Sequence, residues 1–103
     1  MANAKERYVK ESPMFQGEDE RLAYVLDTTN WGGYTSGATC VLKDAIGNNI
    51  TSTNLSGVVS ISTNYITSPL VISLKRNQVY TLEFKWVYSG NTFEALFEIW
   101  GER

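Results

Sequence analysis

The chain has 103 residues, 43% hydrophobic and 13% aromatic, with a net charge of −2. That bounds it to one domain of common size that can bury a core without staples. It has no histidine and one cysteine. This removes the usual general base, the Ser/His and Cys/His nucleophile pairs, the commonest transition-metal ligand and any internal disulfide. The charge is unevenly placed. Residues 1–20 carry three basic and five acidic groups, a balance of −2, whereas residues 21–103 carry six of each. With no basic stripe, nucleic acid is not an expected partner. No run reaches membrane-spanning length and the N-terminus has no apolar leader region, so synthesis in a cytoplasm is expected and a membrane is not.

In chain order, residues 1–19 are polar, lack a sustained period and contain Pro13 and Gly17. They read as an arm, and a helix over residues 3–10 would be marginal alone. The domain proper is expected over residues 20–103, where the pattern takes period two. In "RLAYVLDT" (21–28), Leu22, Tyr24 and Leu26 share a face. "NWGGYTSG" (30–37) is a loop by its glycines, and "ATCVLKD" (38–44) a strand with Cys40 and Leu42 on one parity. "IGNN" (46–49) reads as a tight turn. Short strands are expected near 49–54 and 57–62, within a run of thirty residues, 45–74, that carries no formal charge. In "YITSPLVISL" (65–74), Ile66, Leu70, Ile72 and Leu74 align, while Pro69 marks an edge strand or a break.

The last hairpin carries the clearest period. Tyr80, Leu82, Phe84, Trp86 and Tyr88 fall on one face, and after "SGN" so do Phe93, Ala95, Phe97 and Ile99. A two-residue Gly90-Asn91 turn is expected, pairing Tyr88 with Phe93, Trp86 with Ala95 and Phe84 with Phe97. That register sets Glu83 against Glu98, an unfavourable like-charge pair. A two-residue slip would instead oppose Lys85 and Glu98.

The candidate chemical sites are thin. Cys40 lies between apolar residues and reads as a small buried hydrophobe. Glu83, Glu94 and Glu98 fall on the solvent face of the hairpin. "GEDE" (17–20) lacks the ligand spacing of a calcium loop, and "WGGYTSG" has neither the lysine nor the helix of a phosphate cradle. No enzyme activity, cofactor, metal or small-molecule substrate is therefore expected. Trp31 and Tyr34, in a loop, and Trp100, on the polar parity, are candidates for exposure. They suit a protein interface, or alternatively a carbohydrate- or host-surface-binding module. With Tyr8, Pro13 and Phe15 of the arm they form the set of interface candidates.

About seven short strands with turn signals and no convincing helix imply an antiparallel β-sandwich or barrel. "LKRNQVY" (74–80) has the Leu-x5-Tyr spacing before an alternating strand. It resembles the tyrosine corner of immunoglobulin-like and fibronectin-type-III domains, with Arg76-Asn77 where Pro-Gly is familiar. The resemblance implies an immunoglobulin-like sandwich in which Tyr80 bonds upstream backbone and Leu74 packs beneath it, over a core including Phe84, Trp86 and Phe97. A wider likeness runs through Lys10, Pro13, Glu20, Tyr24, Asp27 and Trp31, then through the last hairpin to "FEIWGER" (97–103). It resembles small tail-fibre adaptor and related virion proteins of tailed bacteriophages and prophages, although "DTTNWGG" departs from their usual link to Trp. This implies a non-enzymatic structural protein of tail, head–tail joint or capsid. It would be made in the host cytoplasm and located in the virion, contacting other virion proteins and copies of itself.

Overall fold

The computed structural model describes residues 14–33 and 36–102. They are mostly β. The strands are β1 (Met14–Gly17), β2 (Val25–Asp27), β3 (Ser36–Lys43), β4 (Leu55–Ser56), β5 (Ser60–Ser62), β6 (Tyr65–Thr67), β7 (Leu70–Val71), β8 (Val79–Tyr88) and β9 (Asn91–Glu102). One helical turn, α1 (Thr51–Asn54), and a 3-10 turn at Thr29–Trp31 complete the elements. A four-stranded sheet runs β1-β9-β8-β3, with β1 parallel to β9 and the other pairs antiparallel. Two smaller antiparallel sheets, β2-β6-β5 and β4-β7, lie along one continuous stretch of chain, 65–71. Leu22 bridges Val71, so the approach to β2 follows β7 as well. The arrangement is compatible with an all-β sandwich.

The core lies between the large sheet and the small ones. Leu42, Leu82, Phe84, Trp86, Phe97 and Ile99 enter it from one side, and Tyr24, Leu26, Ile66 and Val71 from the other. The Tyr24 and Phe97 rings meet edge to face at 5.3 Å across the two layers. The alternation in β8 and β9 decides this: each side chain at an even position of β8 up to Trp86 is buried, and so are Ala95, Phe97 and Ile99. Leu74 is buried in the same core.

Four expectations need correction. First, the last hairpin turns at Ser89-Gly90, so that Tyr88 opposes Asn91, Trp86 opposes Phe93, Phe84 opposes Ala95 and Lys85 opposes Glu94. Ser89 and Gly90 both have positive φ, 51° and 81°, as the two-residue turn matched to strand twist requires. This register sets Glu83 opposite Leu96 rather than Glu98, and brings Lys85 within 3.5 Å of Glu94. It also stacks Trp86 on Phe93 at 6.0 Å.

Second, residues 49–54 are not a strand. The Asn49 carboxamide accepts the Thr51 N–H and the Ile50 carbonyl accepts from Thr53 and Asn54, which closes a helical turn. Local Asn and Thr bonds of this kind compete with a sheet ladder. Third, parity slips at Pro69. Ile66 and Val71 are buried, whereas Leu70 and Ile72 are half-exposed. The ladder is mended there by Ser68, whose hydroxyl accepts the Tyr24 N–H at 2.9 Å and whose own N–H donates to the Tyr24 carbonyl.

Fourth, the expected arm of residues 1–19 gives up its last six residues to the folded body. Residues 14–17 form β1 within the large sheet, and Gln16 is fully buried. The Gln16 side chain donates to the Val71 carbonyl at 2.8 Å and the Glu20 carbonyl at 3.0 Å. It accepts from the Tyr24 hydroxyl at 2.7 Å. A buried amide satisfied from both layers holds β1 across the core.

Candidate functional site

Parallel pairing of β1 with β9 places Phe15 directly beside Trp100. Both face outward, because Met14 and Gln16 take the inward parity opposite Ile99 and Gly101. The two rings meet edge to face at 5.8 Å and remain 54% and 43% exposed. They wall a cleft of about 370 Å³ whose floor and far side are Asn77, Gln78, Val79, Gly101 and Glu102. The Trp100 indole N–H donates to the Glu98 carboxylate at 2.9 Å, which fixes the ring's orientation on the sheet.

The backbone beneath the cleft is held tightly. Gly101 donates its N–H to the Gln78 carbonyl and accepts from Asn77 N–H. A Cβ at Gly101 would overlap the Lys75 carbonyl oxygen at 2.1 Å, so only glycine lets the 75–78 connection pass this close to β9. Asn77 takes positive φ, 64°, in that connection. The Lys75 N–H donates to the Tyr80 hydroxyl at 2.9 Å, the bond that the Leu-x5-Tyr spacing leads one to seek.

The corner is acidic as well as aromatic. Glu98 and Glu102 flank Trp100 on β9, and Glu18 follows β1 with Arg76 3.9 Å from its carboxylate. Within "GEDE", Glu20 accepts the Gly17 N–H at 2.7 Å, so its carboxylate closes the turn after β1.

Of the other interface candidates, Trp31 is corrected. It is half-buried against the core, its ring edge-on to Trp86 at 5.7 Å. Its loop is drawn inward by buried Thr28, whose N–H and hydroxyl both donate to the Asn64 carbonyl, and by the Trp86 indole, which donates to the Gly33 carbonyl at 3.1 Å. The Tyr88 ring closes over Gly32 and is itself more than a third exposed, against its expected inward place. Tyr8, Pro13 and Tyr34 lie outside the described residues. Phe15 is an interface candidate of the arm by sequence, but its partner Trp100 lies 85 residues away, and no local pattern joins the two.

Burial pushes the Cys40 thiol up to about 12, far from the thiolate a nucleophile needs. A second cleft of about 470 Å³ runs between α1 and residues 73–80 and is lined largely by polar groups. Its polar groups are engaged locally: the Asp44 carboxylate accepts from the Ile46 and Asn48 N–H groups, and the Asn54 carboxamide donates to the Ile72 and Ser73 carbonyls. The corner built by Phe15 and Trp100 is thus the stronger candidate for recognition. Comparison with known proteins finds no matching family, no similar curated protein and no similar solved structure.

Proposed function

We propose that this protein is a non-enzymatic structural module of a tailed-phage type of virion, an immunoglobulin-like sandwich that works through protein–protein contacts. The observation that carries the reading is the Phe15–Trp100 pair. Two large rings stand half-exposed on a sheet held rigid from below, and aromatic anchors on rigid backbone are what protein interfaces use most. The fold assignment draws support from the Tyr80–Lys75 bond and from strand order, since β1 pairs parallel with the last strand while β2, β6 and β5 build the facing layer. The virion setting rests on the sequence resemblance, to which the uncharged, Ser/Thr-rich stretch 45–74 is suited. Partners are other virion proteins and copies of this chain.

The same ring pair, with Asn77 and Gln78 beside it, favours a second reading, a weak carbohydrate site. Light scattering across a concentration series separates the two. Self-association of the native chain that is lost in Phe15→Ala/Trp100→Ala, with the fold intact by circular dichroism, supports the interface. Unchanged association in that variant overturns it. A saturable tryptophan-fluorescence change with a glycan, abolished by Trp100→Ala, would establish the carbohydrate reading instead.

A further inference from the structure

The rings of Phe15 and Trp100 stand 72° apart, so they form two walls of a corner and not a flat platform. A sugar ring stacks on a flat aromatic face, whereas a slender side chain fits the angle between two. The cleft they bound, of about 370 Å³, lies near the lower end of the range usual for small-ligand sites, about 300 to 1,000 Å³. That is room for one long side chain. The charge of the corner follows from the parity of β9. Glu98, Trp100 and Glu102 share its outward face, so a carboxylate stands two residues before the indole and another two residues after it. Glu102 lines the cleft itself. The Trp100 indole N–H donates to Glu98 at 2.9 Å, which pushes electron density into the ring and strengthens the negative face that attracts cations.

We infer that this corner receives an arginine side chain of a partner protein, its guanidinium lying against the two rings and donating to the Glu102 and Glu98 carboxylates. The inference rests on the reading of the corner as a protein contact and names what that contact takes. Arginine alone among side chains joins a flat, weakly hydrated face that stacks on aromatic rings to an in-plane fork of N–H donors for carboxylates. An apolar anchor would cover the rings but would take the neighbouring carboxylates out of water without a donor in return. A lysine ammonium would meet the charge without the stacking. An exposed ion pair by itself contributes little, so the rings have to supply much of the attraction. The floor is already fixed, because Gly101 bonds to both Gln78 and Asn77 through its backbone, and binding therefore has little ordering left to impose on it.

The probe is the peptide acetyl-Gly-Arg-Gly-amide, titrated into the full-length protein and followed by the NMR shift of the Trp100 indole N–H. A control peptide carries citrulline, which keeps the shape of arginine without its charge. The arginine peptide is expected to give a saturable shift, with an affinity at least about fivefold above that of the control and reduced by added salt. Glu102→Gln should weaken it severalfold, and Trp100→Ala, followed at the Gly101 amide, should abolish it. No saturable shift, equal binding of the two peptides, or binding that survives Trp100→Ala overturns the inference. Its failure is distinct from failure of the assembly reading. Self-association that requires Phe15 and Trp100, in a protein that ignores the arginine peptide, sinks this inference alone. Peptide binding in a protein whose association is unchanged in Phe15→Ala/Trp100→Ala upholds the arginine site and sinks the assembly reading alone.

Discussion

The Tyr80 hydroxyl accepts the backbone N–H of Lys75 at 2.9 Å, tying the start of β8 to the connection that leads into it. Removing the acceptor leaves that N–H without its partner at a half-buried position. Tyr80→Phe is expected to cost about 1–2 kcal/mol in urea unfolding, with the slope of the transition unchanged. A loss below a few tenths would mean that water replaces the hydroxyl freely.

Gly101 stands against the same connection from the other side. Its missing Cβ leaves room for the Lys75 carbonyl, which cannot yield as a flexible side chain would. Gly101→Ala should therefore destabilise by at least about 2 kcal/mol, an overpacking cost borne by backbone. It should also shift the NMR signals of Phe15 and Trp100, whose cleft it floors. An alanine variant that melts with the native protein would contradict this geometry.

The boundary of the folded body can be tested by two deletions. Removing residues 2–13 leaves every described core residue and β1 in place, and thermal unfolding should stay cooperative. Removing residues 2–19 deletes β1 and strips the Tyr24 hydroxyl and the Val71 carbonyl of their Gln16 partners. That deletion should abolish the cooperative transition or lower its midpoint sharply. Equal behaviour of the two would return Met14–Gly17 to the arm.

Alkaline stability follows from two buried groups. Burial pushes the Cys40 thiol from 9.0 up to about 12, and burial with the nearby Glu20 carboxylate pushes the Tyr24 phenol from 10.0 up to about 12. The unfolded chain ionises first in both cases. The stability these groups contribute is complete below pH 9 and is lost as pH rises towards 12, Cys40 acting before Tyr24. The urea midpoint should fall across that window, and Cys40→Ala should flatten its lower part. A midpoint that stays constant from pH 9 to 12 would rule this out.

Much of the core is legible in the residues themselves. Period-two alternation places Leu82, Phe84, Trp86, Phe97 and Ile99 inward without any knowledge of partners, because a strand offers only two faces. The spacing from Leu74 to Tyr80 likewise points to the bond at Lys75. Of the dense aromatic stretch at 80–100, this leaves Trp100 facing outward by parity alone.

Tertiary structure decided what depends on a partner distant in sequence. Hairpin register was settled by positive φ at Ser89 and Gly90 together with the Lys85–Glu94 and Trp86–Phe93 pairs, since parity permits any even slip. Trp31 went inward because Thr28 and Trp86 bond the loop around it, and no local pattern encodes that pull. Pro69 announced a break but not its repair by Ser68. The parallel alliance of Met14–Gly17 with β9 is the furthest from local reading. Four residues of a polar segment have too few positions to show a period. They become a strand because Gln16 finds Val71 and Tyr24 in the opposite layer, and in doing so they set Phe15 against Trp100.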